Sequence, residues 1–155
     1  MSTPFPPVRS NVERLPKQWK YEWRETSVLH LTDSRHKLFV PGGHVQLVSQ
    51  HRDFVMADIF VDRIINHAGM RFDGSTWAID WGVMQRGAGY HDVLCEAVDQ
   101  GIIGPENQPI ADTIMRDIWL SDGAFVTPVL RGAYRLDVHA RYRAVRWKQS
   151  LDHAA

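Results

Sequence analysis

Polar side chains that could do chemistry stand at two points in the middle of the chain. Asp73, Ser75 and Thr76 surround an Asp-Gly turn signal, and a loop there would let a carboxylate and two hydroxyls face a cleft. His91 and Asp92 follow at the predicted start of a helix. Such a pair can ligate a metal or act as a base with its orienting acid. Equally, Asp92 can cap the helix N-terminus with a hydrogen-bonded histidine beneath it, and the spacing leaves both interpretations open.

The single cysteine, Cys95, stands one helical turn after His91. That spacing would allow a Cys–His nucleophile pair. However, Cys95 falls inside an apolar stripe between Leu94 and Ala97, which is more typical of a buried hydrophobic residue. One cysteine also excludes an internal disulfide framework and a cysteine-rich zinc site.

The second half of the chain has the 3.6-residue period of amphipathic helices, which would position these groups. Residues 90–98 carry one apolar stripe, and Gly101 stands just past its end, as is common at a helix C-terminus. Residues 110–119 carry a second stripe, and Pro128 suits the first turn of a third helix. The pattern therefore predicts three helices.

The first half has the alternation of β-strands. Trp19, Tyr21 and Trp23 fall on one side of a predicted strand and charged residues on the other. Further strands are predicted at 28–31, 38–40, 45–48 and 59–65, with turn residues between them. The predicted fold class is α+β: an N-terminal antiparallel β meander followed by about three C-terminal helices packed on it.

The domain boundaries follow from composition. Four prolines in the first 16 residues predict an extended arm at 1–18, followed by a single domain at 19–148 and a tail at 149–155. Because such an arm cannot bury enough of its own surface, we expect it to lie on another subunit and its deletion to leave the domain folded. The residues expected to contact another subunit are the apolar residues of the arm and two tryptophans of the first predicted strand. They are Phe5, Val12, Leu15, Trp19 and Trp23.

Charge balance limits the partners. The chain has 18 Lys+Arg and 18 Asp+Glu, so no net field favours a nucleic acid. The one local excess of positive charge is a predicted basic face on the third helix. The N-terminus does not resemble an export signal, and no apolar run is long enough to span a membrane, so membrane insertion is not expected. The basic face consists of Arg131, Arg135, Arg141, Arg143, Arg146 and Lys148.

Four segments in order, at 72–76, 91–94, 111–115 and 142–146, resemble the phage and prophage family known as domain of unknown function 1353. The resemblance covers about residues 19–147 and implies a tailed-phage origin and an α+β fold. Two departures are Thr76-Trp77-Ala78, where the family has a proline, and Cys95, where it has an aromatic residue. The polar positions that the resemblance carries over, and implies to meet in space, are Asp73, Ser75, His91, Asp92 and Asp112.

The sequence is compatible with three functions. The first is a structural component of a tailed-phage virion, made in the host cytoplasm, that contacts other virion proteins or copies of itself and needs no cofactor. The second is a hydrolase of cell-wall peptide or glycan in which His91, Asp92 and Asp112 or Asp73 hold a divalent metal ion. The third is an intracellular module that inhibits a host factor. We expect Asp73, His91 and Asp112 to converge at the junction of sheet and helices.

Overall fold

The α+β prediction is confirmed: antiparallel strands in two sheets precede three helices. The computed structural model describes residues 5–9, 11–15, 21–49, 53–73 and 81–154, with side chains to residue 151. Predictions about Trp19, Ser75, Thr76 and Trp77 lie outside the described residues. No helix in the described part is long and apolar enough to cross a membrane.

The strands form two separate antiparallel sheets. The smaller sheet contains β1 (Val12–Arg14), β2 (Tyr21–Trp23) and β7 (Arg71–Phe72), in the order β1-β2-β7. The larger sheet has the order β3-β6-β5-β4. Its strands are β3 (Ser27–His30), β4 (His44–Val48), β5 (Val55–Phe60) and β6 (Arg63–Asn66).

Three details of the predicted meander are wrong. Only β4, β5 and β6 follow one another as a meander, because β3 pairs with β6 across the sheet. The strand expected at 38–40 is instead an irregular segment whose Phe39 N–H donates to the Asn107 side chain at 2.8 Å. The strand expected at 59–65 is two strands, since the polar Asp62 falls in the exposed turn that separates them.

The three helices are α1 (Gln85–Asp99), α2 (Gln108–Asp122) and α3 (Arg131–Ala154). As predicted, Gly101 follows α1 with a positive φ of 72°, and Pro128 opens a short 3-10 turn before α3. The predicted tail at 149–155 is wrong, because α3 continues to Ala154. Helix α1 begins one turn earlier than expected, so Asp92 lies beyond the first turn and does not cap the helix.

The predicted arm is also corrected. Phe5 is only 2% exposed and belongs to the protein's own main core, and Val12 pairs with Trp23 as the first residue of β1. Trp23 is likewise 2% exposed. Since these side chains are covered by their own chain, Phe5 and Trp23 cannot be the contacts to another subunit. The error arose because a proline-rich segment can still find its apolar partners far along the same chain.

Apolar packing joins the sheets to the helices and the helices to one another. The main core places Leu47, Ile59 and Ile64 of the larger sheet in one cluster with Val93 and Leu94 of α1. A smaller cluster lies between α2 and α3. Its buried members are Met84, Met115, Trp119, Val126, Tyr134 and Val138.

Gly87 allows α1 to pack closely on α2. A Cβ atom at this position would lie 2.6 Å from Trp119 Cδ1 and 3.2 Å from the Met115 carbonyl oxygen. Trp119 has little freedom to move, since its indole N–H donates to the Met84 carbonyl at 2.8 Å. We therefore expect Gly87→Ala to lower the free energy of unfolding by about 1–3 kcal/mol, as overpacking does.

Urea unfolding of Gly87→Ala beside Gly132→Ala will check this expectation. Gly132 lies in α3 with no heavy atom within 4 Å of its added Cβ, so its alanine variant should be as stable as the parent or slightly more so. Equal midpoints for the two variants would show that the Gly87 contact is not tight.

Candidate functional site

Three helices bring charged side chains together at one buried point. The imidazole Nε2 of His91, on α1, lies 2.7 Å from Oδ1 of Asp112, on α2, although the two residues are 21 positions apart. Arg146 on α3 donates from Nη1 to Asp112 Oδ2 at 2.8 Å. The predicted approach of His91 and Asp112 is therefore confirmed. We call His91, Asp112 and Arg146 the three-helix network.

The Asp112 carboxylate is fully buried and accepts four hydrogen bonds. Besides His91 and Arg146, it accepts hydrogen bonds at Oδ1 from Gln149 Nε2 at 3.1 Å and from Gln108 Nε2 at 3.3 Å. A carboxylate oxygen pair offers about four acceptor sites. Asp112 thus links four donors from the three helices, three of them at Oδ1 and one at Oδ2.

The charges in the network are stabilised by one another. Burial acts to lower the pKa of His91, but the hydrogen bonds to Asp112 and Cys95 outweigh it and raise this pKa to about 10. Burial acts against ionisation of Asp112 as well, yet hydrogen bonds from His91 and Arg146 hold the pKa of this carboxyl below its usual value. His91 is therefore an imidazolium at neutral pH, not a free base.

Asp73, which directly follows β7, reaches the part of α1 that carries His91. Asp92 accepts a hydrogen bond from the Asp73 backbone N–H, which brings the β half and the helix together as expected from the sequence. Burial raises the pKa of Asp92 to about 7, with a further contribution from the charges of Asp73 and Glu96 and opposition from His91. Asp92 can therefore gain or lose a proton near neutral pH, which is the property of a general acid or base.

Cys95 borders the network instead of lying in a purely apolar stripe. Its Sγ is 3.5 Å from Nε2 and 3.7 Å from Nδ1 of His91, and the Gln108 amide nitrogen is 3.2 Å from this sulfur. Because its distances to the two ring nitrogens are nearly equal, the sulfur lies beside the imidazole ring and is not in line with either nitrogen. The contact is therefore not the aligned hydrogen bond of a nucleophile with its base.

Sequence reasoning missed three members of the site. The sequence predicts Arg146 on a basic face and Gln149 in a tail, and no motif points to Gln108. One signal was present in the spacing: residues three or four apart on a helix share a face, as Arg146 and Gln149 do on α3 and as Gln108 and Asp112 do on α2. Arg141 also leaves the predicted basic face, because it is buried and pairs with Asp137 at 2.9 Å.

The described residues do not form a metal centre. They contain no group of three His, Cys, Asp or Glu side chains that could hold a metal ion. At the predicted ligands, Asp112 is taken by four donors, one of them the cationic Arg146 guanidinium, which would repel a metal ion. We therefore derive no chemistry through a metal.

The fold and the site define an α+β protein whose three helices are joined through a buried His–Asp–Arg network. Comparison of the chain with models of protein families, with curated proteins and with solved structures finds no match.

The free energy of unfolding should fall as the pH rises from about 4 to 10. The pKa of Asp92 is raised from 3.8 to about 7, so the stability that its protonated form provides is lost across that interval. The pKa of His91 is raised from 6.5 to about 10, so its contribution is complete below 6.5 and is lost as the pH passes through 10. Within its own pH interval, each group changes the free energy of unfolding by at most about 1.4 kcal/mol per pH unit.

Urea unfolding at a series of pH values will separate the two groups. Asp92→Asn should reduce the slope between pH 4 and 7, where the raised pKa of Asp122, about 6, leaves a remaining slope, and His91→Gln should reduce it between 7 and 10. Parallel profiles for the parent and both variants would contradict the assignment.

Proposed function

We propose that this protein is a structural component of a tailed-bacteriophage virion and acts through contacts with other proteins. The resemblance of its four sequence segments to a phage family supports the setting. The observation that carries the proposal is the outward face of α3 and the turn before it, where large apolar side chains stay in solvent: Val129 is 85% exposed, Leu136 73% and Trp147 67%. Single exposed apolar residues are ordinary, but several of them on one helix face are typical of an interaction site.

The three-helix network supports the same role. It ties α3 to α1 and α2 through Asp112, so the exposed face is carried on a fixed helix. The buried Asp112 carboxylate already accepts hydrogen bonds from four side chains of its own protein. Its geometry is that of a structural polar network, which fixes how elements pack.

The test is the protein content of purified particles. Particles should be induced from the strain that encodes this chain, purified by density-gradient centrifugation and analysed by quantitative mass spectrometry. We expect this chain in a constant ratio to the other structural proteins. Recovery of the chain only from the lysate, with intact infectious particles formed after deletion of its gene, would overturn the proposal.

A second candidate is a hydrolase of cell-wall peptide or glycan, favoured by the raised pKa of Asp92 at about 7 beside the His91 imidazolium. Ionised Asp92 would take a proton from water as the water oxygen bonds to the substrate carbon. It would then return that proton to the leaving group. The His91 cation, oriented by Asp112, would stabilise the negative charge that develops.

Purified peptidoglycan sacculi provide the assay for this candidate. If it is correct, the parent protein releases soluble fragments, Asp92→Asn loses this activity, and Asp99→Asn, an exposed carboxylate later on α1, keeps it. Absence of release by the parent protein, or equal release by both variants, would reject it.

A further inference from the structure

The exposed apolar side chains of α3 and its preceding turn follow the spacing of a helix-pairing seam. Their positions are separated by steps of four, three, four, seven and four residues, and Arg143 stands at the position that the step of seven skips. From Val129 to Trp147 this is the heptad spacing with which two helices pack side by side, with Leu151 one position outside it. All of them are exposed, while Tyr134 and Val138 on the opposite side of α3 are buried. We call these residues the outer row: Val129, Ala133, Leu136, Ala140, Trp147 and Leu151.

The two alanines of the outer row shape it for a helix. Ala133 and Ala140 alternate with Val129, Leu136 and Trp147, so large side chains stand beside shallow positions. A facing helix can insert its own large side chains at the small positions, as knobs enter holes. A helix that lies on a membrane instead needs a broad apolar face. Here the row is narrow and is bordered by charged residues.

The charge beside the outer row identifies the partner's chemistry. Arg135 and His139 are exposed on one flank of the row, four residues apart, and the exposed Arg143 stands in the row itself between Ala140 and Trp147. The only carboxylate within residues 131–151 is Asp137, which accepts hydrogen bonds from Arg141 at 3.0 Å and from Trp81 at 2.7 Å. A second copy of α3 would therefore bring cations against cations, whereas an acidic helix would complement this flank.

We infer that the outer row binds an amphipathic helix of another protein, one with an apolar heptad seam and acidic residues beside it. The inference rests on the proposed function through protein contacts and names the chemistry of the partner. The apolar seam would supply the contact area, and the acidic residues would select this face of α3 over uncharged surfaces.

The experiment uses the full chain and a synthetic peptide of about four heptads, with leucine at the a and d positions and glutamate at e and g. Isothermal titration calorimetry should show binding that weakens as salt rises. The variant Leu136→Ala/Trp147→Ala should lose about tenfold or more in affinity. Phe39→Ala, which alters an exposed aromatic residue outside α3, should bind as the parent does.

Four results would overturn the inference. They are no binding of the acidic peptide, equal binding of a matched peptide with lysine at e and g, dimerisation of the chain that Trp147→Ala abolishes, and Trp147-dependent binding to phosphatidylglycerol vesicles in place of the peptide. Failure of the virion proposal would be distinct: the chain would bind the acidic peptide and yet be absent from particles.

Discussion

Replacing Asp112 with alanine should lower the free energy of unfolding by about 3–5 kcal/mol, the usual effect of removing one partner of a buried ion pair. Asp112 is fully buried and bonds to His91 and Arg146, so its loss leaves the largely buried His91 imidazolium without its counter-ion. Because the three residues lie on α1, α2 and α3, the variant loosens all three helices. Urea unfolding at pH 6, followed by circular dichroism, measures the change.

Two controls make the Asp112 result specific. Asp99→Ala removes an exposed carboxylate from α1 and should change the free energy of unfolding by about 0.5 kcal/mol or less. The double variant Asp112→Ala/His91→Ala should be less destabilised than the sum of the two single variants, since the pair interacts directly. Additive single effects would contradict a coupled network.

Replacing Phe5 with alanine should have an effect of similar size, about 3–5 kcal/mol, because a buried phenylalanine leaves a cavity that the core cannot fully close. The Phe5 ring stacks on His36, with centroids 4.8 Å apart, and its carbonyl oxygen accepts a hydrogen bond from the Ser121 hydroxyl. His36 in turn pairs with the largely buried Asp117 at 2.7 Å. The variant therefore disturbs a contact between the N-terminus and α2.

Thermal unfolding of Phe5→Ala beside Val8→Ala will test this contact, because Val8 is 45% exposed and its truncation should change little. Deletion of residues 1–16 should likewise destabilise the domain, since it removes Phe5 and the whole of β1. That expectation reverses the one drawn from the sequence. A deletion variant as stable as the parent would show that the N-terminal segment is dispensable for folding.

Local periodicity was sufficient to predict the helices. Burial of one side of a helix requires apolar residues every three or four positions, whatever that side packs against, so α1 and α2 could be recognised from their stripes. Gly101 could also be recognised from the local sequence as the glycine that ends α1. No spacing rule selects Asp112, because its partners lie on two other helices.

The sequence by itself determined the α+β class, the three helices and the polar types available at His91, Asp92 and Asp112. Only the tertiary structure decided that Phe5 fills the core, that β3 pairs with β6, and that Arg146 reaches Asp112 instead of solvent. The physical reason is that a periodic pattern specifies which side of an element is buried but not which distant element covers it. An arginine such as Arg146 is equally suited to water and to a carboxylate, and its partner is set by the packing of α3 on α2.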